Sequence, residues 1–492
     1  MDNNEDKRYT SDEELTNLAL SRGIFFHTSE IGSDNISGFW EYGPVGFRIF
    51  NNLLTQWRKL VNSMNGVEIS GSVVLPKKVL QASGHEDNFF DMEIACVKCG
   101  SVYRVDKLLE EKENSRSFEG LSEGEYLNYI KEYGIKCAKC GGELGEIKKF
   151  GTMFPLKIGE DVQGYLRPEA CQSIFLDFKR VFDTSGRKFP LVIAQVGKAF
   201  RNEISPRNNL IRQREFYQND IEIFFVEDNF ELKEDYTVQI YDKEKNNTMN
   251  VNISAALSDG TIKNKVTAYA LSKIYGFLLS IGFDKDVIRF RKLYEDKAFY
   301  AEESFDLEIK KGDSWVELVA CNHRGIHDLS SYEKYGAKGM NIDSNIPKVF
   351  ELSMGTDRLF YLLLLVSMKK DSERRWLSLD SKISPFKYAI FPLVSKDGVD
   401  SKASEIFENS VYRDDILYSD SGSIGKRYRK AEEIGVRLAF TVDYESLENE
   451  TVTIRESDSM KQFRISINYI DIITKEFESN SFDQLKNKYE YH

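Results

Sequence analysis

No apolar run in this chain exceeds the eight residues LFYLLLLV at 359–366. A helix that crosses a bilayer needs about 20, so no membrane span is expected. The first ten residues hold Asp2, Glu5, Asp6, Lys7 and Arg8 with no apolar stretch, which argues against an export signal and predicts a cytoplasmic protein. A surplus of positive charge is also missing. Lysine and arginine number 67 against 79 aspartates and glutamates, a net charge of −12. The overall field therefore repels nucleic acid, and such a partner has to be met by local basic clusters. Cysteine is scarce, at six residues, and without export no disulfides are expected. What is present is 492 residues, 41% hydrophobic and 30% charged, enough for about three globular domains.

Four of the six cysteines are patterned as Cys96-Val-Lys-Cys99-Gly and Cys137-Ala-Lys-Cys140-Gly-Gly. Each pair reads as half of a tetrahedral zinc site, because the glycine lets the backbone turn both thiolates toward one ion. Four thiolates leave no open coordination position, so the expected Zn2+ is structural. It would staple the base of a charged loop and short helix at 110–133. Cys321, His323 and His327 lack a metal-ligand spacing and are not read as a site, and His85 is read as structural.

The densest chemistry lies at 200–222, FRNEISPRNNLIRQREFYQNDIE. Arg201, Arg207, Arg212 and Arg214 stand there among Glu203, Glu215, Asp220 and Glu222. The apolar run LVIAQVGKAF (191–200) precedes it and the alternating run IEIFFV (221–226) follows, the pattern of two strands joined by a polar loop. Guanidinium groups on a rigid hairpin suit a triphosphate, since each is a planar, permanently charged fork. Carboxylates facing them suit an ammonium or a base amino group. The same composition also fits a salt-bridged surface hairpin.

The order F-R-N-E, loop, R-E-F resembles motif 2 of the class II aminoacyl-tRNA synthetases, and the wording FRNEISPR…REFYQ resembles its glycyl form. Further words agree in class order. GFWEYGPVGFRIFNNLLTQWRKLVNSM (38–64) is similar to motif 1, with Ile49, Leu53, Leu54, Trp57 and Leu60 at helical spacing, and VFELSMGTDRLFYLLLL (349–365) is similar to motif 3. GYLRPEACQSIF (164–175) resembles the glycyl RPETAQ word, YRVDKLLE (103–110) a glycyl substrate-site segment, and SWVELVACNHRGIHDL (314–329) the strand that serves ATP and Mg2+.

The resemblance implies an α+β protein. Residues 1–380 would be a class II catalytic domain, an antiparallel sheet flanked by helices, with a zinc-knuckle insertion at 92–150 and an α/β insertion at 227–300. Residues 385–492 would form an α/β anticodon-binding domain. It places Arg201 on the ATP α-phosphate, Glu203 on the adenine amino edge, Phe216 under the adenine ring and Arg358 on the γ-phosphate. Arg201, Glu203 and Arg358 would carry catalysis. Asn202, Ile211, Arg212, Arg214, Glu317, Leu318 and Gly355 complete the expected ATP site. Glycine would meet Glu169 and Asp220 through its ammonium, with Arg104, Phe216, Gln218, Arg324, Glu351, Ser353 and Gly355 around it. Ala170, Cys171, Asp220 and Leu352 depart from the usual Thr, Ala, Glu and Pro. On the C-terminal segment, Lys426, Arg427 and Arg429 would meet tRNA phosphates. The implied activity attaches glycine to tRNA(Gly) through glycyl-adenylate, in a homodimer paired through the motif 1 region. A sister class II enzyme for another amino acid, or a non-catalytic synthetase-like protein, are the alternatives.

Overall fold

The computed structural model describes residues 11–28, 36–113, 118, 120–204, 206, 209–294 and 300–491. At its centre is a nine-stranded sheet. In chain order its strands are β1 (Val67–Ile69), β2 (Leu191–Phe200), β3 (Glu215–Phe225), β4 (Thr237–Asp242), β5 (Asn247–Asn252), β6 (Ile288–Leu293), β7 (Glu303–Lys311), β8 (Ser314–Gly325) and β9 (Lys348–Gly355). Across the sheet they run β5-β4-β6-β7-β8-β9-β3-β2-β1. Neighbours are antiparallel except β1 with β2 and β4 with β6.

Side-chain alternation gives this sheet two unlike faces. Ile221, Ile223 and Phe225 of β3, with Phe350, Leu352 and Met354 of β9, are buried in the main core. Helices Pro44–Ser63, Lys265–Ser280 and Thr356–Ser367 supply the other side of that core. The intervening residues Gln218, Asp220, Glu222 and Glu351, Ser353, Gly355 take the opposite face. Further along it, Ile193, Phe224 and Val349 pack on Phe175, Phe178 and Phe182 of helix Gln172–Thr184. A polar strip is thus held between two apolar blocks, which fixes its register: a slip of one residue would bury the wrong set.

Helix Pro44–Ser63 forms where the glycine-proline turn predicts, with Pro44 at its first position, and buries all five residues of the expected stripe. The 227–300 segment is not a body apart. It contributes β4, β5 and β6 to the central sheet and helix Lys265–Ser280 to the same core.

The cysteine segment makes a three-stranded sheet of Phe90–Cys96, Val102–Arg104 and Leu144–Gly151 around Ile94, Leu109, Phe118 and Tyr126. The expected short helix is Glu123–Glu132, started by a reciprocal cap between Ser122 and Glu125. Residues 114–117 and 119 of the loop before it lie outside the described residues.

The C-terminal region has its own core. Strands β10 (Tyr388–Pro392), β11 (Ile416–Tyr418), β12 (Leu438–Val442), β13 (Thr451–Glu456) and β14 (Gln462–Ser466) run in the order β11-β10-β12-β13-β14. The first three are parallel and the last two antiparallel additions. Arg374 and Trp376 tie this region to the body built on the nine-stranded sheet through Ser457 O (2.7 Å) and Asp458 Oδ1 (2.8 Å). Among the described residues no helix is long and apolar enough to cross a membrane.

Candidate active site

Over the polar strip lies one cleft, lined by β3, β8, β9, the 201–213 hairpin and Glu169. Of the residues expected in the ATP and glycine sites, Arg201, Glu203, Ile211, Arg212, Phe216, Gln218, Glu317, Leu318, Glu351, Ser353, Gly355, Arg358 and Glu169 all line it. Cleft and strip divide into a cationic end and an acidic end.

At the cationic end, Arg201 leaves β2 with its guanidinium 5.5 Å from the Phe216 ring centroid and 5.2 Å from that of Phe89. Its Nε donates to Pro168 O (3.1 Å) and its Nη2 to Glu169 Oε1 (3.2 Å). Arg212 Nε donates to Glu203 Oε2 at 2.7 Å. Arg358 stands in the first turn of helix Thr356–Ser367, where Nη1 donates to Glu317 O (2.6 Å) and Nε to Ile211 O (3.4 Å). The register between β7 and β8 shifts beside Leu318, so the consecutive residues Glu317 and Leu318 both reach the cleft. Asp357, unforeseen in the sequence, accepts the Tyr217 N–H (2.5 Å) and the Tyr42 hydroxyl. That pins the helix start against β3. Burial raises its carboxyl to about 6 against the opposing pull of Tyr42.

At the acidic end, Gln218 Nε2 donates to Ser353 Oγ (2.7 Å) and its Oε1 accepts the Ala170 N–H (3.2 Å). Glu169 meets Arg201 on one oxygen and His85 Nε2 (3.0 Å) on the other. Burial alone would raise the Glu169 carboxyl, but His85 and Arg201 hold it well below the usual range. Beneath the cleft, Arg324 is buried, bonded to Asp328 on both oxygens (2.6 and 2.7 Å) and to Glu351 Oε1 (2.7 Å). Asn322 Nδ2 donates to the other Glu351 oxygen at 2.8 Å. Asp220 and Glu222 are fully buried below the lining.

Several expected residues stand elsewhere. Arg214 donates to the backbone carbonyls of Glu203 (2.8 Å) and Ser37 (2.6 Å), bracing the hairpin rather than lining the cleft. Asn202 takes part through its backbone N–H, bonded to Thr152 O at 2.7 Å. Arg104 pairs with Asp106 (2.5 Å) and Asp91 (3.3 Å) in an adjoining cleft that shares Arg201 and Glu203 with the first. Arg207 lies outside the described residues. On helix Ile424–Glu433, Lys426 and Arg429 are exposed, but Arg427 is buried and donates to Pro392 O (2.6 Å) and Ser419 O (3.1 Å). It braces the turn after β10 instead of facing solvent.

Parity would have found Asn322 and Glu222, on the same strand faces as the cleft-lining Ala320 (two residues away) and Gln218 (four residues away). His85 and Tyr300 carried no such signal, since neither lies on a patterned strand.

The four cysteines converge. All four sulfurs lie within 4.8 Å of one another, with Cys96–Cys140 at 3.5 Å and Cys99–Cys137 at 3.6 Å. Ligands about 2.3 Å from a tetrahedral Zn2+ stand roughly 3.8 Å apart, so the donor set fits that ion. Gly100 and Gly141 take positive φ (both 69°), the left-handed turn that folds each pair back on itself.

A mainly antiparallel sheet that presents a motif 2 hairpin, a motif 3 helix start and a cleft with a cationic and an acidic end defines the catalytic core of a class II aminoacyl-tRNA synthetase. The family described as the tRNA synthetase class II core domain (G, H, P, S and T) matches residues 154–366, and the anticodon binding domain family matches residues 387–475. The chain is 33% identical to the glycine–tRNA ligase of Methanocaldococcus jannaschii, across 94% of this chain and 98% of that protein. It is 30% identical to that of Methanothermobacter thermautotrophicus (92% and 97% covered) and 32% to that of Thermococcus gammatolerans (92% and 96%). The chain belongs to the glycine–tRNA ligase family.

Proposed function

We propose that this protein attaches glycine to tRNA(Gly) in two steps. Glycine carboxylate attacks the α-phosphorus of ATP, giving glycyl-adenylate and pyrophosphate. The terminal adenosine hydroxyl of the tRNA then takes the glycyl group and AMP leaves. The observation that carries this reading is the 3.2 Å bond between Arg201 and Glu169. It sets the guanidinium suited to the α-phosphate beside the carboxylate suited to the ammonium, where the two substrates have to meet.

No protein nucleophile is needed. Catalysis rests on positioning and on charge stabilisation at phosphorus by Arg201, with Arg358 at a helix start suited to the terminal phosphate. Phe216 supplies a face for adenine, and Glu203, oriented by Arg212, an acceptor for its amino group. Glu317 would hold Mg2+, which when bound neutralises phosphate charge. Cys96, Cys99, Cys137 and Cys140 would hold a structural Zn2+. Glycine has no side chain to grip, so selection falls to its ammonium, its carboxylate and the lack of room beside Ser353 and Ala320. Lys426 and Arg429 are the exposed cations offered to tRNA. We further propose a homodimer paired through the motif 1 region, where Phe47 is 52% exposed, working in the cytoplasm.

Glycine-dependent ATP–pyrophosphate exchange tests the reading, with alanine, serine and threonine as controls. Exchange with glycine alone is expected. Exchange with another amino acid would make the chain a sister enzyme, and none with any would leave a non-catalytic relative. Light scattering tests the dimer, and a monomeric mass would remove it.

A further inference from the structure

Asp220, Glu222 and Glu351 stand closer together than three charges allow. Glu222 and Glu351 are direct cross-strand partners on β3 and β9, and Asp220 pairs with Ser353 two residues along. Asp220 and Glu222 are 0% exposed; neither Glu222 oxygen has a hydrogen-bond partner among the described residues, and Asp220 has only the Ser353 hydroxyl beside it, which pulls its carboxyl the other way. Glu351 is already occupied by Asn322 and Arg324.

The charges packed around this group do not balance it. Arg324 on β8 answers Asp328 as well as Glu351, and so is outnumbered before Asp220 and Glu222 are counted. Glu169, across the cleft, adds a negative charge that Arg201 answers. Arg167 is the cation on the β2 side of Asp220, though its own groups are bonded to Lys198 O (2.7 Å) and Gly71 O (3.3 Å). Cys171 and Tyr300 bring no charge, since burial pushes both well above their ordinary ranges. A buried carboxylate without a partner is strongly disfavoured and takes up a proton instead. Burial, and then the neighbouring Glu351, pushes Asp220 up to about 8 and Glu222 well above the carboxylate range.

We infer that Asp220 and Glu222 both carry protons in the amino-acid-free protein, and that the substrate ammonium displaces the proton of Asp220 while Glu222 keeps its own. This rests on the glycine-activating reading above. Asp220 is the member to yield because its strand neighbours Gln218 and Ser353 line the cleft. Glu222 lies one residue pair deeper, between Ile193 of β2 and Glu351. Asp220 gives its O–H proton to solvent and its carboxylate then faces the ammonium, so each amino acid bound releases one proton. Glu222 remains a neutral floor that keeps the positive group at the level of Ser353. The bound form lacks a proton that the free form holds, so glycine affinity rises with pH. The rise is at most about tenfold per unit and flattens above about 8.

Titration calorimetry of the whole zinc-loaded protein with glycine at pH 7, in phosphate and in Tris, reads the proton directly. The heats should differ by close to one proton's worth of buffer ionisation. Asp220→Asn should abolish that difference. Glu222→Gln, a neutral side chain of the same shape, should keep it. Equal heats from the unaltered protein in both buffers would overturn the proposal while leaving glycine binding intact. No heat in either buffer would instead sink the functional reading, and the proposal with it. Loss of the release in Glu222→Gln would assign the proton to the wrong carboxyl. Cys171, Glu222 and Glu351 also place three ligand atoms within 4.8 Å of one another. A second equivalent of zinc, lost in Cys171→Ala, would therefore mean that a metal neutralises the group, and would overturn the proposal too.

Discussion

The two ends of the polar strip use the same residue types to opposite effect. At the acidic end, Arg324 is 4% exposed and every bond it makes is to a buried carboxylate on the sheet or the helix beside it. At the cationic end, the Arg201 and Arg358 side chains are about a third exposed. Their partners are single oxygens and backbone carbonyls that a phosphate can replace. A guanidinium that has spent its donors inside the protein holds the protein together. One that keeps them near solvent can be lent to a substrate.

The largest effect expected from this contrast is on folding. Arg324→Met leaves Asp328 and Glu351 buried without their cation and should cost about 3–5 kcal/mol of stability, read by denaturant unfolding. A loss below 1 kcal/mol would mean that the network is not what holds the acidic end together. Next come Arg201→Ala and Arg358→Ala. Each should lower kcat/KM of glycine-dependent exchange by about 10²–10³, the size of one lost charge-stabilising donor. Their melting temperatures should hardly move, because partly exposed pairs add little to stability. If either melted as far as Arg324→Met, the division between the two ends would fail. Ser353→Ala is milder. It removes the hydroxyl bonded to Gln218, and should raise the glycine KM by roughly three- to tenfold while leaving the ATP KM in place. A change in both constants would blur the line between the ends.

This contrast also explains what could be read from the sequence. Helix Pro44–Ser63 and strands β3 and β9 were legible because each carries its structural period in full, and motif order then named the cleft. The division of arginines was not. Arg214 and Arg212 are two residues apart on one hairpin, yet one braces backbone carbonyls and the other orients Glu203 in the cleft. That depends on where the chain around Ser37 returns, a long-range contact with no local signature. How the 227–300 segment joins the rest of the chain was illegible for the same reason. Its strands show alternation, but which sheet they extend is decided by pairing with β7, not by their own residues.

The smallest effect repeats the contrast within one helix. Lys426 and Arg429 are exposed on Ile424–Glu433, whereas Arg427 is 3% exposed and donates to the carbonyls of Pro392, which ends β10, and Ser419, which follows β11. Lys426→Ala and Arg429→Ala should each raise the tRNA KM for aminoacylation about two- to fivefold and reduce the salt slope of binding by about one. Neither should alter glycine-dependent exchange, which needs no tRNA. Arg427→Ala should do the reverse, lowering the melting temperature through the stranded carbonyls and leaving the salt slope alone. If Arg427 instead changed the salt slope and the two exposed cations did not, burial would be the wrong guide to which arginines this protein offers to RNA.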